Sequence, residues 1–168
     1  MRVAGVNLVA VLAAAVAMYF VGFIFYGLLF QEVWSQQTLE NHGLAAPGEG
    51  ANLTGEALMA EMQRIPGAME MGPAMGLGFV ISLITALGLA MVLRLAKPQS
   101  LMSALRVGMI AWVGFAATTL AYNVVYSSDS RVIFGIDLAH LFLAYLAGAA
   151  VIFLVDGKTV RGAAPVTA

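Results

Sequence analysis

Four long apolar runs, separated by more polar segments, dominate the sequence. The first extends over residues 3–30 and is interrupted only by Asn7. A helix needs about 20 predominantly apolar residues to cross the hydrocarbon core of a bilayer. Because lipid offers no hydrogen bonds to the backbone, a single crossing run of this length must be helical. We therefore predict spanning helices over residues 3–30, 73–95, 102–126 and 133–155.

The composition agrees with an all-α integral membrane bundle of four transmembrane helices. Hydrophobic residues make up 61% of the 168 residues and charged residues 10%, whereas soluble domains average about 45–50% and about 25%. We expect a single membrane domain and no nucleic-acid partner. The chain has no cysteine, which excludes disulfides, thiolate metal sites and cysteine nucleophiles.

Residues 31–72, between the first two runs, differ in composition from the rest of the chain. They carry six glutamates and a single arginine. Within them Thr54 is a suitable N-cap, and Leu58, Met62 and Ile65 share one side, which predicts a short amphipathic helix over residues 54–65. We expect residues 31–72 to form a helical cap outside the membrane, and residues 156–168 to form a short frayed tail.

The distribution of basic residues predicts the orientation. Arg64 and Arg131 belong to the cap side. Six others lie at the amino terminus, in or next to the second connection and at the carboxyl terminus: Arg2, Arg94, Lys97, Arg106, Lys158 and Arg161. Because basic residues are enriched in cytoplasmic segments, we expect both termini to be cytoplasmic and the cap to be extracytoplasmic.

Three stretches resemble a known family of membrane proteins. They read W-V-G-F-A-A-T-T from Trp112, I-D-L-A-H-L-F from Ile136, and G-V-N-L-V-A-V-L near the amino terminus, followed by G-F-I-F-Y-G-L-L-F. The pattern is similar to domain of unknown function 1761, a family of small bacterial four-helix membrane proteins. The resemblance covers the first, third and fourth helices. It implies a multi-pass protein of the bacterial inner (plasma) membrane and supplies no catalytic residues.

The third and fourth helices carry polar residues near the cap side. Thr119, Asn123 and Tyr126 have helical spacing, as do Asp137 and His140. We expect the five to lie near one another. One hypothesis is a site that binds a small polar or anionic group or relays a proton through His140. The structural alternative is that His140 only hydrogen-bonds Asn123 or a tyrosine hydroxyl between helices.

Two further candidate sites are weaker. Methionine thioethers suit Cu(I), and the cap region contains Met59, Met62, Met69, Met71, Met75 and His42. The alternative is that these flexible apolar side chains coat an amphipathic helix at the membrane surface. Arg106 could hold a lipid phosphate, although its side chain would also reach the interface without one. We expect no metal and no other cofactor.

The most favoured function is a non-enzymatic membrane module. Small residues recur at helical spacing, at Gly72, Gly76, Ser82, Ala86 and Ala90. Such ladders suit helix packing in lipid, which predicts a homo-oligomer or an accessory subunit that binds lipid, pigment or a partner membrane protein. The alternative is a small-solute or proton-coupled transporter that uses the Asn/Asp/His cluster. A membrane-embedded enzyme or an extracytoplasmic Cu(I) binder ranks third, because no catalytic motif is present.

Overall fold

The computed structural model describes residues 2–3, 5–49, 52–126 and 130–156. Among these residues, two segments are π-helical: Phe23–Leu29 directly follows the helix Leu8–Gly22, and Trp112–Ala117 joins the helices Leu101–Ala111 and Thr118–Tyr126. The other elements are β1 (Arg2–Val3), β2 (Val6–Asn7), α1 (Leu8–Gly22), α2 (Gln31–Asn41), α3 (Gly55–Met62), α4 (Met71–Ala96), α5 (Leu101–Ala111), α6 (Thr118–Tyr126) and α7 (Arg131–Val155). Most of the predicted tail, residues 157–168, lies outside the described residues.

Within the described residues, four helical segments are long and apolar enough to cross a membrane, which confirms the predicted all-α class. They are the first span (Leu8–Leu29), the second span (Met71–Ala96), the third span (Leu101–Tyr126) and the fourth span (Arg131–Val155). The last three begin and end within two residues of their predicted bounds, because a polar, glycine or proline boundary flanks each run. The first span begins five residues later than predicted.

A small hairpin replaces the start of the first predicted helix. Gly5 has a φ of 76°, a left-handed conformation that suits glycine, and it lets β1 pair antiparallel with β2. The Asn7 side chain then accepts a 3.1 Å hydrogen bond from the backbone N–H of Val9 and caps α1. The length of the apolar run cannot show whether its first residues form a hairpin or a helix, because valine is compatible with a strand as well as with a membrane helix.

Close contacts between small residues hold the spans together. α1 packs against α4 and α7, and α5 packs against α7. At Gly148 in α7, an added Cβ would stand 2.9 Å from Met18 Sδ in α1. Lipid removes the hydrophobic advantage of burial, so this close approach must supply the association energy. The core is rich in alanine, with Ala10, Ala14, Ala15, Ala86, Ala90, Ala104, Ala111, Ala144 and Ala149 all buried.

The described residues of the cap form two helices, α2 and α3, where the sequence predicts one. The predicted helix forms as α3, with Leu58 2% exposed. α2 was not predicted; it packs against α3, against α7 and against the end of the first span. Ser130 at the start of α7 donates a 2.6 Å hydrogen bond to Gln37 Oε1 of α2. The cap therefore rests on the ends of the first and fourth spans.

Candidate functional site

The hydroxyl of Tyr26 lies between two polar side chains of the fourth span. It donates a hydrogen bond to Asp137 Oδ1 at 2.6 Å and lies 3.2 Å from His140 Nδ1. Asp137 and His140 are three residues apart on α7, so both face the first span. We call these three residues the Tyr26 network. It links the first and fourth spans at their cap ends.

Apolar and aromatic side chains surround the Tyr26 network. The Phe25 ring lies 5.8 Å from the His140 ring, centroid to centroid. The Trp34 ring of α2 stands edge-on to Tyr26 at 5.6 Å and covers it from the cap side. At Gly22 an added Cβ would lie 3.2 Å from His140 Nε2, so the absence of a side chain there makes room for the imidazole.

The geometry of the Tyr26 network suits proton transfer as well as hydrogen bonding between helices. A 2.6 Å distance between a hydroxyl oxygen and a carboxylate oxygen is typical of a charge-assisted hydrogen bond. Imidazole, carboxyl and phenol can each gain or lose a proton. Ionisable groups inside a membrane span are costly and usually have partners or a function, and here each has a partner.

A small cleft separates the cap ends of the third and fourth spans beside Asp137. It encloses about 20 Å³, which is enough for about one water molecule. Asn123 and Asp137 are its polar walls, and the remaining lining is apolar: Leu120, Val124, Ile133 and Phe134. The structure therefore brings Asn123 to the side of Asp137 that faces the third span.

Thr119 and Tyr126 do not join this site, contrary to the expected meeting of five polar residues. Thr119 is exposed and donates a 2.6 Å hydrogen bond to the Phe115 carbonyl of its own span. Tyr126 is exposed and stacks on Tyr122. The cause is the π-helical segment Trp112–Ala117, whose wider turn shifts the inward positions along the third span by one residue. As a result Leu120 and Val124 face the fourth span, and Thr119 faces away from it.

The two residues that complete the site were not identified from the sequence. Tyr26 and Trp34 lie near the end of a long apolar run, where aromatic residues are ordinarily expected at the membrane–water interface. One signal for Tyr26 was present, because a tyrosine hydroxyl is one of the two partners that the structural alternative offers His140. Within the described part of the chain, the indole Nε1 atoms of Trp34 and Trp112 are buried without a hydrogen-bond partner.

The methionines of the cap region are spread along the chain. Met69, Met71 and Met75 are exposed, whereas Met59 and Met62 on α3 are partly buried. His42 Nδ1 lies 2.9 Å from the carbonyl oxygen of Thr38. Among the described residues, no three histidine, aspartate or glutamate side chains are placed to hold a metal ion. Cu(I) binding by thioethers stays a prediction, as does phosphate binding by the exposed Arg106.

Comparison with known proteins gives one match. A family model described as "Protein of unknown function (DUF1761)" matches residues 9–153. The matched range contains the Tyr26 network, the cleft and nearly all of the four spans. No curated protein and no solved structure matches the chain. The resemblance found in the sequence is thereby confirmed, and the site must be interpreted from its own geometry.

Proposed function

This chain belongs to the DUF1761 family, and we propose that it is a non-enzymatic membrane module that works as a homo-oligomer. The observation that carries the proposal is an uncovered face at the start of the second span. From Met71 to Leu77 every residue is exposed, over two turns of α4. Within this stretch the Met75 carbonyl accepts a hydrogen bond from Tyr19 of the first span.

Small residues make this face suitable for helix contact. An added Cβ at Gly72 or Gly76 would have no atom of the described chain within 4 Å. Gly108 and Gly148, in contrast, are filled by neighbouring helices. The four-residue spacing of Gly72 and Gly76 is the Gly-x-x-x-Gly arrangement that lets two membrane helices approach closely.

A second copy of this chain is the proposed occupant. In a two-fold symmetric contact each residue lies near its own counterpart, so a charged face would repel itself. The stretch Met71–Leu77 carries no charge, and a self-contact there meets no such repulsion. A different membrane protein or a bound lipid in the same place would make the chain an accessory subunit or a lipid binder instead.

Disulfide cross-linking tests the proposal, because the chain has no cysteine of its own. Val80 continues the row of Gly72 and Gly76, whereas its neighbour Ile81 points about 100° away around the helix; both are exposed. We expect oxidised membranes to yield dimers of Val80→Cys and none of Ile81→Cys. Adding Gly76→Leu should abolish the Val80→Cys dimer. Equal dimer formation at both positions, or none, contradicts the homo-oligomer.

A proton-coupled transporter of small solutes is the second candidate. It is favoured by the Tyr26 network, which places a carboxyl and an imidazole on one hydroxyl inside a span. The test is purified protein in liposomes with an imposed pH gradient. A transporter accumulates solute or carries protons, and Asp137→Asn stops it. Liposomes with no flux of protons or solute above the lipid background reject this candidate.

The proposed location is the bacterial plasma membrane, with both termini in the cytoplasm and the cap outside. The support is the excess of basic residues on the side of the termini, where Arg106 would also meet lipid phosphates. Labelling with a membrane-impermeant maleimide tests it. In intact cells Ala45→Cys in the cap should react and Gln99→Cys, in the second connection, should not. The reverse pattern contradicts the orientation.

A further inference from the structure

The Tyr26 hydroxyl has one proton and two neighbours that can exchange one. A phenol can donate only one hydrogen bond. If Tyr26 donates to an ionised Asp137, then His140 must carry its proton on Nδ1 and donate to Tyr26 Oη. If Asp137 is protonated and donates to Tyr26, then Tyr26 donates to a bare Nδ1. The positions of the three residues therefore fix two arrangements of the protons.

The two arrangements interconvert by a balanced shift of two protons. In the neutral form, Asp137 holds one proton, Tyr26 holds one, and His140 holds one on Nε2. The Asp137 proton moves to Tyr26 Oη while the Tyr26 proton moves to His140 Nδ1. The products are a carboxylate, an unchanged phenol and an imidazolium, so the total charge stays zero. Tyr26 acts as the bridge, because its hydroxyl lies within hydrogen-bond distance of both Asp137 and His140.

The cleft supplies a path from the cap side to Asp137. It has room for about one water molecule, and a water needs two to four polar partners. The Asn123 amide and the Asp137 carboxyl are available as such partners. Trp34 covers Tyr26 from above, so water at Asp137 approaches between the third and fourth spans instead.

Four described residues of neighbouring elements face the network. α2 contributes Trp34, the third span contributes Asn123, and the first span contributes Phe25 and Gly22. None of these four side chains carries a charge or titrates. A proton that reaches Asp137 through the cleft can therefore pass to His140 through Tyr26.

We propose that the Tyr26 network is a proton relay in which Tyr26 bridges Asp137 and His140, loaded from the cap side through the cleft at Asn123. This proposal rests on the transporter candidate above and names the path of its proton. The first span therefore contributes the bridging residue of the relay, in addition to the residues of the third and fourth spans. Its position on the first span also means that movement of that span against α7 would break the relay.

Histidine tautomers give the first test. The chain has two histidines, so 15N-histidine labelling yields two imidazoles, and His42→Gln assigns the signal of His140. We expect His140 in the wild-type chain in bicelles at high pH to be the Nδ1–H tautomer, because it donates to Tyr26. An imidazole without a partner prefers Nε2–H. A wild-type His140 in the Nε2–H form at high pH overturns the proposal without any variant having to fold.

Coupled titration separates a relay from a merely structural hydrogen bond. Two groups that share a proton titrate as a pair. The infrared carboxyl band of Asp137, assigned with Asp137→Asn, and the His140 nitrogen signals should therefore change at the same midpoints, both signals responding in each step. In Tyr26→Phe each signal should instead change at a single midpoint of its own. Tyr19→Phe is the matched control, since Tyr19 lies on the same span and its hydroxyl bonds the Met75 carbonyl. A single and different midpoint for each signal in the wild type, or shared midpoints that survive Tyr26→Phe, contradict the relay.

Rapid mixing tests the entrance. After a drop in pH, Asn123→Leu should lose the fast phase of Asp137 protonation, and Thr119→Val, one turn away and outside the cleft, should keep it. An unchanged fast phase in Asn123→Leu overturns the cleft as the path. If the Asp137 and His140 signals share their midpoints but liposomes show no proton or solute flux, the relay is supported and the transporter is rejected. If liposomes show flux but each signal has its own midpoint, the relay alone is rejected.

Discussion

Gly108 on α5 gives the sharpest prediction about the packing of the bundle. A Cβ added there would stand 2.9 Å from Ala149 Cβ and 3.2 Å from the Tyr145 carbonyl oxygen. Non-bonded carbon atoms prefer about 3.5–4.0 Å. Both neighbours belong to the backbone or are fixed directly to it, so neither can rotate away. Gly108→Ala should therefore force the third and fourth spans apart.

The magnitude follows from a comparison with Gly88→Ala. An added Cβ at Gly88 meets no atom within 4 Å. Both substitutions gain about 0.8–1.0 kcal/mol of intrinsic helix propensity, which cancels when they are compared. Overpacking remains and costs about 1–3 kcal/mol. We therefore expect the free energy of unfolding of Gly108→Ala to lie about 1–3 kcal/mol below that of Gly88→Ala.

Equilibrium unfolding in mixed micelles measures this difference. The wild type should lie about 0.8–1.0 kcal/mol below Gly88→Ala, and close to or above Gly108→Ala. If Gly108→Ala proves as stable as Gly88→Ala, the contact between α5 and α7 is not as close as described. A circular dichroism spectrum with unchanged helix content is the control that both variants fold.

The other predictions use the same assay. Gly148→Ala should cost less than Gly108→Ala, because the nearest atom is the flexible Met18 Sδ; a larger loss would contradict this. Tyr26→Phe should lower the free energy of unfolding by about 0.5–2 kcal/mol, the range for polar contacts between membrane helices, and no loss would mean that its hydrogen bonds do not form. Asn7→Ala removes an N-cap and should cost about 0.5–2 kcal/mol; hydrogen exchange at the start of α1 should then quicken, and unchanged exchange would contradict the cap.

The sequence was sufficient for the four spans because bilayer thickness sets a length that is visible in the residues themselves. Ala144, Gly148 and Ile152 follow His140 at helical spacing on one face, and all three are buried. α2, in contrast, could not be predicted from its residues. Only Val33, Trp34 and Leu39 of its eleven residues are apolar, too few to show a helical period, and contacts with α3 and the span ends stabilise it instead.

The candidate site was half predictable. Asp137 and His140 stand out as ionisable residues within an apolar run, and their spacing places them side by side. The sequence could not identify their hydrogen-bond partner, because Tyr26 on the first span and Asn123 and Tyr126 on the third span all lie near the cap-side end of their span. Only the packing of α1 against α7, with Trp34 folded over the pair, brings Tyr26 into contact.

The third span shows most directly what the residues alone determine and what they do not. Its apolar run required a helix, since a lipid environment leaves the backbone no other way to satisfy its hydrogen bonds. The direction in which Thr119 and Tyr126 point depended on the π-helical segment Trp112–Ala117, where α5 and α6 meet the fourth span. A one-residue shift in this segment changes which later residues of the span face the fourth span. The free energy of the shift depends on contacts with neighbouring helices, which the local sequence does not contain.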